Sequence, residues 1–273
     1  MILSRREKFV CYAVTYLFAL FLLAPIVWML STSFKGQLAI FQKPPSLFTE
    51  FTFQNYAAVL SDPQFLHAFW NSVLISSGTV VVSVALAVPA AYGLSHLTGG
   101  RRAGFLSWVL LVRAAPGMIY VLPYYLAYSQ IGLIDTRIGL ILINSVFTIP
   151  LAIWIVIPFF DAIPHEIEEA AIIDGATRFQ TMTRIAIPLA APGIASTAIL
   201  IFIFAWNEFL FALTLTRFEA RTAAVSILSY MAYEGTEWGK VAAAGALILL
   251  PVLCFSILIR KYLVQTTAGG VKG

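Results

Sequence analysis

Charge is what this sequence has least of. Only 11% of its 273 residues are Asp, Glu, Lys or Arg, less than half of the roughly 25% carried by water-soluble globular domains. A chain of this length could bury a core, but it could not cover its outside in water with so few charges, so its solvent is lipid. Cysteine is equally scarce. Cys11 and Cys254 are the two present, both in apolar runs without metal-ligand spacing, and read as small core residues. No G-x-x-x-x-G-K-[ST] stretch occurs. The nearest candidate, Gly239-Lys240, is followed by Val241 and lacks the first Gly, so the chain has no phosphate cradle and any ATP must be hydrolysed elsewhere. His67, His96 and His165 fall in separate loops or at a span end, on different sides of the membrane, which excludes a Ser/His/Asp, Cys/His or metal constellation. Ten-residue alternating segments are also absent. That excludes a membrane β-barrel and leaves helices, which satisfy their backbone internally.

What is present is apolar: 60% hydrophobic residues and a mean hydropathy of +0.88. About 20 helical residues cross a bilayer core of roughly 30 Å, and six runs are long enough, near 9–31, 71–95, 105–129, 138–160, 190–215 and 240–260. The sequence predicts an all-α polytopic membrane protein with six transmembrane helices in a single domain, 1–273. The first run follows Arg5, Arg6 and Lys8, as in a secretory signal, but Phe9 to Leu30 is too long for a signal h-region and no small-x-small site follows closely. It reads as the first span. With the N-terminus inside, ten of the 17 Lys and Arg fall on the cytoplasmic side and six outside, with Arg113 in a span. This excess predicts both termini in the cytoplasm. The sequence pI of about 9.1 then follows from topology, and no nucleic-acid partner is implied.

Two long polar connections stand out, residues 34–70 outside and 161–189 inside. Pro25, Pro89, Pro116 with Gly117, Pro123, Pro150, Pro158 and Pro251 lie in the spans and mark kinks. The inner connection holds acids, alanines and a Gly: Glu168-Glu169-Ala170-Ala171-Ile172-Ile173-Asp174-Gly175. Pro164 suits a first helical turn, and Glu166, Glu168 and Glu169 suit the positive end of the macrodipole. The helix is expected to end by Asp174, because Gly175 suits the left-handed position beyond it. Thr177 and Gln180 form a capping-box pattern opening a second helix that runs to Pro188. Ile167, Ala170, Ala171 and Asp174 share a narrow face, able to enter a cleft closely. A connector resting on headgroups would be bulkier and more basic.

Glu169-Ala170-Ala171, then Gly175, then nine residues and Ile185-Ala186-Ile187-Pro188 resembles the EAA motif of ABC importer permeases, with Ile187 in place of Leu. Asn71-Ser72, Ala90-Ala91-Tyr92, Trp206-Asn207-Glu208-Phe209 and the tail Thr267 to Gly273 are similar to the second permease subunit of carbohydrate importers of the maltose-transporter type, over essentially the whole chain. The tail has Gly270 where that family has Ala. The resemblance implies a cytoplasmic helix-turn-helix coupling segment between spans four and five, in the loop 161–189, with Glu169, Ala170, Ala171, Asp174, Gly175 and Pro188 meeting an ATPase. It implies a sister permease, two ATPase subunits that use ATP and Mg, and an extracytoplasmic solute-binding protein. This chain would bind no cofactor and hold no catalytic residue. Its place would be the cytoplasmic membrane of a bacterium or archaeon, where it would import a sugar or sugar derivative.

Arg113 and Glu208 are placed inside the bilayer. Lipid exposure would cost Arg roughly 2.5–3.5 kcal/mol at a helix centre, so both are expected to face the bundle or a wet path. Counting about 1.5 Å per residue from the inner ends puts Arg113 near ~13 Å and Glu208 near ~25 Å, which argues against a direct pair. Trp206, Asn207 and Glu208 suit either a sugar path, with its aromatic face and polar hydrogen bonds, or contact with the sister subunit; Asn144 and Asn71 are weaker candidates. Two other functional classes compete. An ATP-independent secondary transporter commonly shows repeated halves and has no need of a cytoplasmic docking helix. A scaffold without transport would not explain an Ala-rich, Gly-bent segment.

Overall fold

The computed structural model describes residues 4–44, 47, 51–232 and 235–269, with the side chains of 110, 112, 113, 232 and 259–269 outside the description. Five helical segments among these are long and apolar enough to cross a membrane: Arg5–Ser33, Pro63–Ser95, Arg137–Asp161, Arg178–Trp206 and Trp238–Leu258. The predicted third span, 105–129, is two helices, because the chain breaks at Ala115 and Pro116. Pro116 forces the residue before it out of the helical region, and Ala115 is extended at φ −74°, ψ 135°. Each half is too short to cross alone. Pro25, Pro89, Pro123, Pro150, Pro158 and Pro251 all remain inside helices.

By its internal contacts the chain divides into two compact units, 1–66 with 226–250 and 67–225 with 251–273. The first unit holds α1 (Arg5–Ser33), α2 (Gln37–Ile40), α3 (Gln54–Leu60), the start of α4 (Pro63–Ser95), a 3-10 turn Ile227–Tyr230, strands β1 (Met231–Ala232) and β2 (Gly235–Thr236), and the first part of α13 (Trp238–Gly269). α1 opens with a capping box between Ser4 and Glu7. Its large apolar side chains, Phe9, Leu17 and Phe21 among them, stay exposed, a surface that lipid or another membrane helix must cover. Beyond it the chain is pinned by polar contacts. Asn55 Nδ2 donates to the carbonyls of Ser33 and Lys35, both at 2.9 Å, and the Tyr230 hydroxyl donates to Asp62 at 2.8 Å. α4 begins earlier than the predicted 71, because Asp62 Oδ1 accepts the N–H of Gln64 at 2.9 Å and Pro63 needs no donor in the first turn.

The second unit holds the rest of α4, then α5 (Gly99–Ala114), α6 (Gly117–Ile131), α7 (Arg137–Asp161), α8 (His165–Ile173), α9 (Arg178–Thr181), α10 (Ile187–Trp206), α11 (Leu210–Leu215) and α12 (Ala223–Ser226). One apolar cluster joins Ala87, Val88 and Ala91 of α4 to Ile153, Val156 and Phe160 of α7 and Ala190 and Ile201 of α10. Small residues permit this close packing. A Cβ on Gly193 would lie 2.2 Å from the Phe159 ring. A second cluster joins Ile75, Tyr128, Leu140, Ile143, Phe211 and Leu215. Ser83 of α4 meets Thr148 of α7 at 2.7 Å, a buried hydrogen bond across helices. Cys11 and Cys254 are exposed. The core role expected for them is therefore not the one they have, since in a lipid-solvated protein apolar surroundings in sequence do not imply burial.

Candidate functional site

The connection between α7 and α10 is built from local signals. Pro164 precedes α8, and Glu166 and Glu168 stand in its first turn. Its end is a Schellman motif: Ala176 N–H donates to the Ala171 carbonyl at 2.9 Å and Gly175 N–H to that of Ile172 at 3.0 Å. Gly175 has φ +89° with open space around a would-be Cβ, so only the backbone angle demands glycine there. Thr177 and Gln180 then form a capping box that opens α9. The second helix does not stop at Pro188. It passes through a π-turn, Met182–Ala186, directly into α10. Ile187 N–H donates to the Met182 carbonyl, an i→i−5 bond that shifts the ladder just before Pro188, whose missing donor the loosened turn accommodates.

Glu169, Ala170, Asp174, Gly175 and Pro188 are exposed on this segment, whereas Ala171 is buried. The face expected to carry Ile167, Ala170, Ala171 and Asp174 together is thus divided, with Ala171 turned inward beside Glu168. Glu168, expected only to suit the helix dipole, is the anchor. Its Oε2 accepts the Tyr92 hydroxyl at 3.0 Å and lies 2.7 Å from His96 Nε2, tying α8 to the end of α4. His96 and His165, expected in separate loops or at a span end, have ring centroids 6.2 Å apart. No local pattern announces contacts between residues so far apart in the chain. Arg102 pairs with Asp161, joining α5 to the end of α7.

At the other end of α10 the helix expected over 190–215 breaks at Asn207. Glu208 closes the break, its carboxylate oxygens accepting the N–H groups of Phe211 at 2.7 Å and Ala212 at 3.0 Å. Glu208 also lines a hollow of about 130 Å³ with Asn144, Phe147, Thr148, Leu151, Phe204, Ala205 and Phe211. Trp206 is absent from this lining. It is 1% exposed and packs on Phe69 and Phe202. Asn207 Nδ2 donates to the Ile203 carbonyl of its own helix. The Arg113 side chain lies outside the described residues, and with it the question of a pair with Glu208. Asn71 is committed elsewhere, donating to the carbonyls of Glu219 and Arg221 and accepting from Arg137.

Several apolar helices of membrane length, interrupted at Pro116 and Asn207 and two of them joined by a capped helix-turn-helix, define a multi-pass membrane protein. Residues 1–267 match the family model described as binding-protein-dependent transport system inner membrane component, and the chain belongs to that family. It is 36% identical over 262 residues to the trehalose/maltose transport system permease protein MalG of Thermococcus litoralis, covering 94% of each chain. Against the trehalose transport system permease protein SugB of Mycobacterium tuberculosis it is 37% identical over 256 residues, 92% of this chain and 93% of that one. Among solved structures, a chain of a bacterial ABC transporter involved in the import of the acidic polysaccharide alginate superposes with a TM-score of 0.77 at 27% identity, covering 96% of this chain and 99% of that one. The protein is therefore a membrane permease subunit of an ABC importer, and ATP hydrolysis belongs to a separate subunit.

Proposed function

We propose that this permease carries a sugar or sugar derivative across the membrane together with a sister permease, two ATPase subunits that use ATP and Mg, and an extracytoplasmic binding protein. Relatives named for trehalose and maltose transport support the solute class. The third crossing is made by α5 and α6 together, giving six, and both termini lie in the cytoplasm, as the excess of Lys and Arg on that side requires. The whole chain works as one transmembrane domain.

Coupling runs through α8. Its exposed Glu169, Ala170 and Asp174 meet a cleft of the ATPase, and Gly175 sets the turn that presents them. The observation that carries this reading is mechanical: α8 is locked to α9 by the Schellman turn and capping box, and α9 continues through the π-turn into α10 without a hinge loop. A displacement of α8 by closure of the ATPase dimer then moves α10 directly, and α4 through Glu168. Pro188 sits where that movement enters the membrane helix.

Replacing Gly175 by Val tests the turn, since a β-branched residue at positive φ costs roughly 1–2 kcal/mol or more. Gly175→Val and Glu169→Lys should leave the chain inserted while the ATPase no longer co-purifies and uptake falls at least tenfold. Wild-type ATPase association and transport in both variants would remove α8 from the coupling path.

A further inference from the structure

We propose that His96 is a positioning residue whose proton fastens α8 to the end of α4: the tie through Glu168 holds with an imidazolium at position 96 and loosens when that proton leaves. The inference rests on the coupling reading above and names the group that carries movement from α8 into α4. Both ring nitrogens of His96 face oxygen. Nδ1 lies 2.8 Å from the Tyr92 carbonyl, which only accepts. Ser95 Oγ donates its own proton to that carbonyl at 2.8 Å, so the hydroxyl 3.2 Å from Nδ1 has none left for the ring. Nδ1 therefore carries a hydrogen. On the other side Nε2 lies 2.7 Å from Glu168 Oε2, an oxygen that already accepts the Tyr92 hydroxyl at 3.0 Å. A neutral ring with its hydrogen on Nδ1 would set the Nε2 lone pair against those of a carboxylate. One further proton turns the same contact into a charge-assisted hydrogen bond.

The surroundings make that proton matter. Glu168 is 8% exposed, so little water is at hand to replace a lost donor. His96 itself is exposed, and its proton exchanges with the water beside α8. Other titratable and charged groups reach this corner from two elements. α8 brings His165, its ring centroid 6.2 Å from that of His96, and the exposed Glu166 and Glu169. α9 brings Arg178, whose charge acts on Tyr92. α7 brings the Phe160 ring, packed on Tyr92 at 5.4 Å, which has no charge to give. Histidine is the side chain that exchanges a proton near neutral pH. At the acidic end of that range the tie is complete. As pH rises, two lone pairs meet at Nε2 and Oε2, the Tyr92 hydroxyl alone remains, and α4 follows α8 less closely.

The test uses the complete transporter in proteoliposomes, with its binding protein and trehalose or maltose as the probe. Sugar moved per ATP hydrolysed is measured as the pH on the ATPase side is stepped from about 6 to about 8.5, across the range in which histidine ordinarily titrates. The unaltered transporter should lose roughly two- to fourfold of this ratio over those steps, as one partly exposed charge-assisted hydrogen bond is given up. His96→Gln offers Glu168 an amide N–H that does not titrate, and should hold a nearly constant ratio. Glu168→Gln should also flatten the profile, because its amide accepts from an imidazolium and donates to a neutral ring. His165→Gln should keep the slope of the unaltered protein. The ATPase should co-purify with every variant. A slope that survives in His96→Gln, or that vanishes in His165→Gln alone, overturns the proposal. Glu168→Ala separates this inference from the reading beneath it. A lowered ratio there, beside an unaltered profile in His96→Gln, overturns the proton and leaves coupling through α8 in place. An unchanged ratio at every pH removes α4 from the coupling path and takes this inference with it.

Discussion

Asp135 shows how one side chain can fix a loop. Between α6 and α7, at φ +57°, its carboxylate accepts the N–H groups of Arg217, Phe218, Glu219 and Ala220 at 2.9–3.1 Å. Burial acts to raise its pKa, but the four backbone donors together outweigh burial and hold it below the ordinary 3.8. A depressed carboxyl contributes stability at pH values above its unfolded pKa, and that contribution is lost as pH falls through the folded pKa. Asp135→Asn should therefore destabilise the protein at neutral pH by about 1–2 kcal/mol, after discounting charged hydrogen bonds for the group's partial exposure. Thermal unfolding in detergent should show the gap between variant and wild type closing as pH falls below the ordinary carboxyl value and through the lowered folded one. A gap independent of pH would mean that the carboxylate charge contributes nothing. This clamp was not legible in the sequence, because it depends on groups brought from distant segments. Asp135 binds residues more than eighty positions away, and no local spacing encodes such a pairing.

At the scale of elements, the legible and the hidden divide by range. Schellman turn and capping box involve residues at most five apart, so Gly175, Thr177 and Gln180 disclose the bend. The tie from Glu168 to Tyr92 and His96 does not disclose itself. Of the seven prolines expected within the spans, Pro116 separates two helices, while the six others stay within helices. The Glu168 tie predicts a specific defect. Glu168→Ala removes the acceptor from both α4 partners, so α8 should still bind the ATPase while α4 follows it less faithfully. Sugar moved per ATP hydrolysed should fall several-fold with the complex intact, and His96→Ala should show a weaker version. An unchanged ratio in both variants would make this contact a packing detail. α4, at 33 residues, is about 50 Å long, well beyond a hydrocarbon core of roughly 30 Å. Its end can thus reach past the membrane to meet α8.

At the scale of the whole molecule, the prediction concerns sidedness. With six crossings, protease-cleavable tags fused before Met1 and after Gly273 should both resist an externally added protease in spheroplasts and both be cut once the membrane is opened. Tags on opposite sides would show that α5 and α6 do not complete a crossing, or that a further segment fails to cross.

Lipid as solvent, helices as the means of crossing it, the absence of a nucleotide cradle and the bent acidic segment were all determined by the sequence, because composition, periodicity and short-range capping act within a few residues. Tertiary structure alone decided that Trp206 belongs to the core, that Ala171 turns inward and that Glu168 holds α4. Each of these depends on which distant helix packs alongside, and in a chain with 60% hydrophobic residues many apolar faces are interchangeable in sequence. Only close packing at residues such as Gly193 and Phe159, together with the pairing of buried polar groups, selects among them.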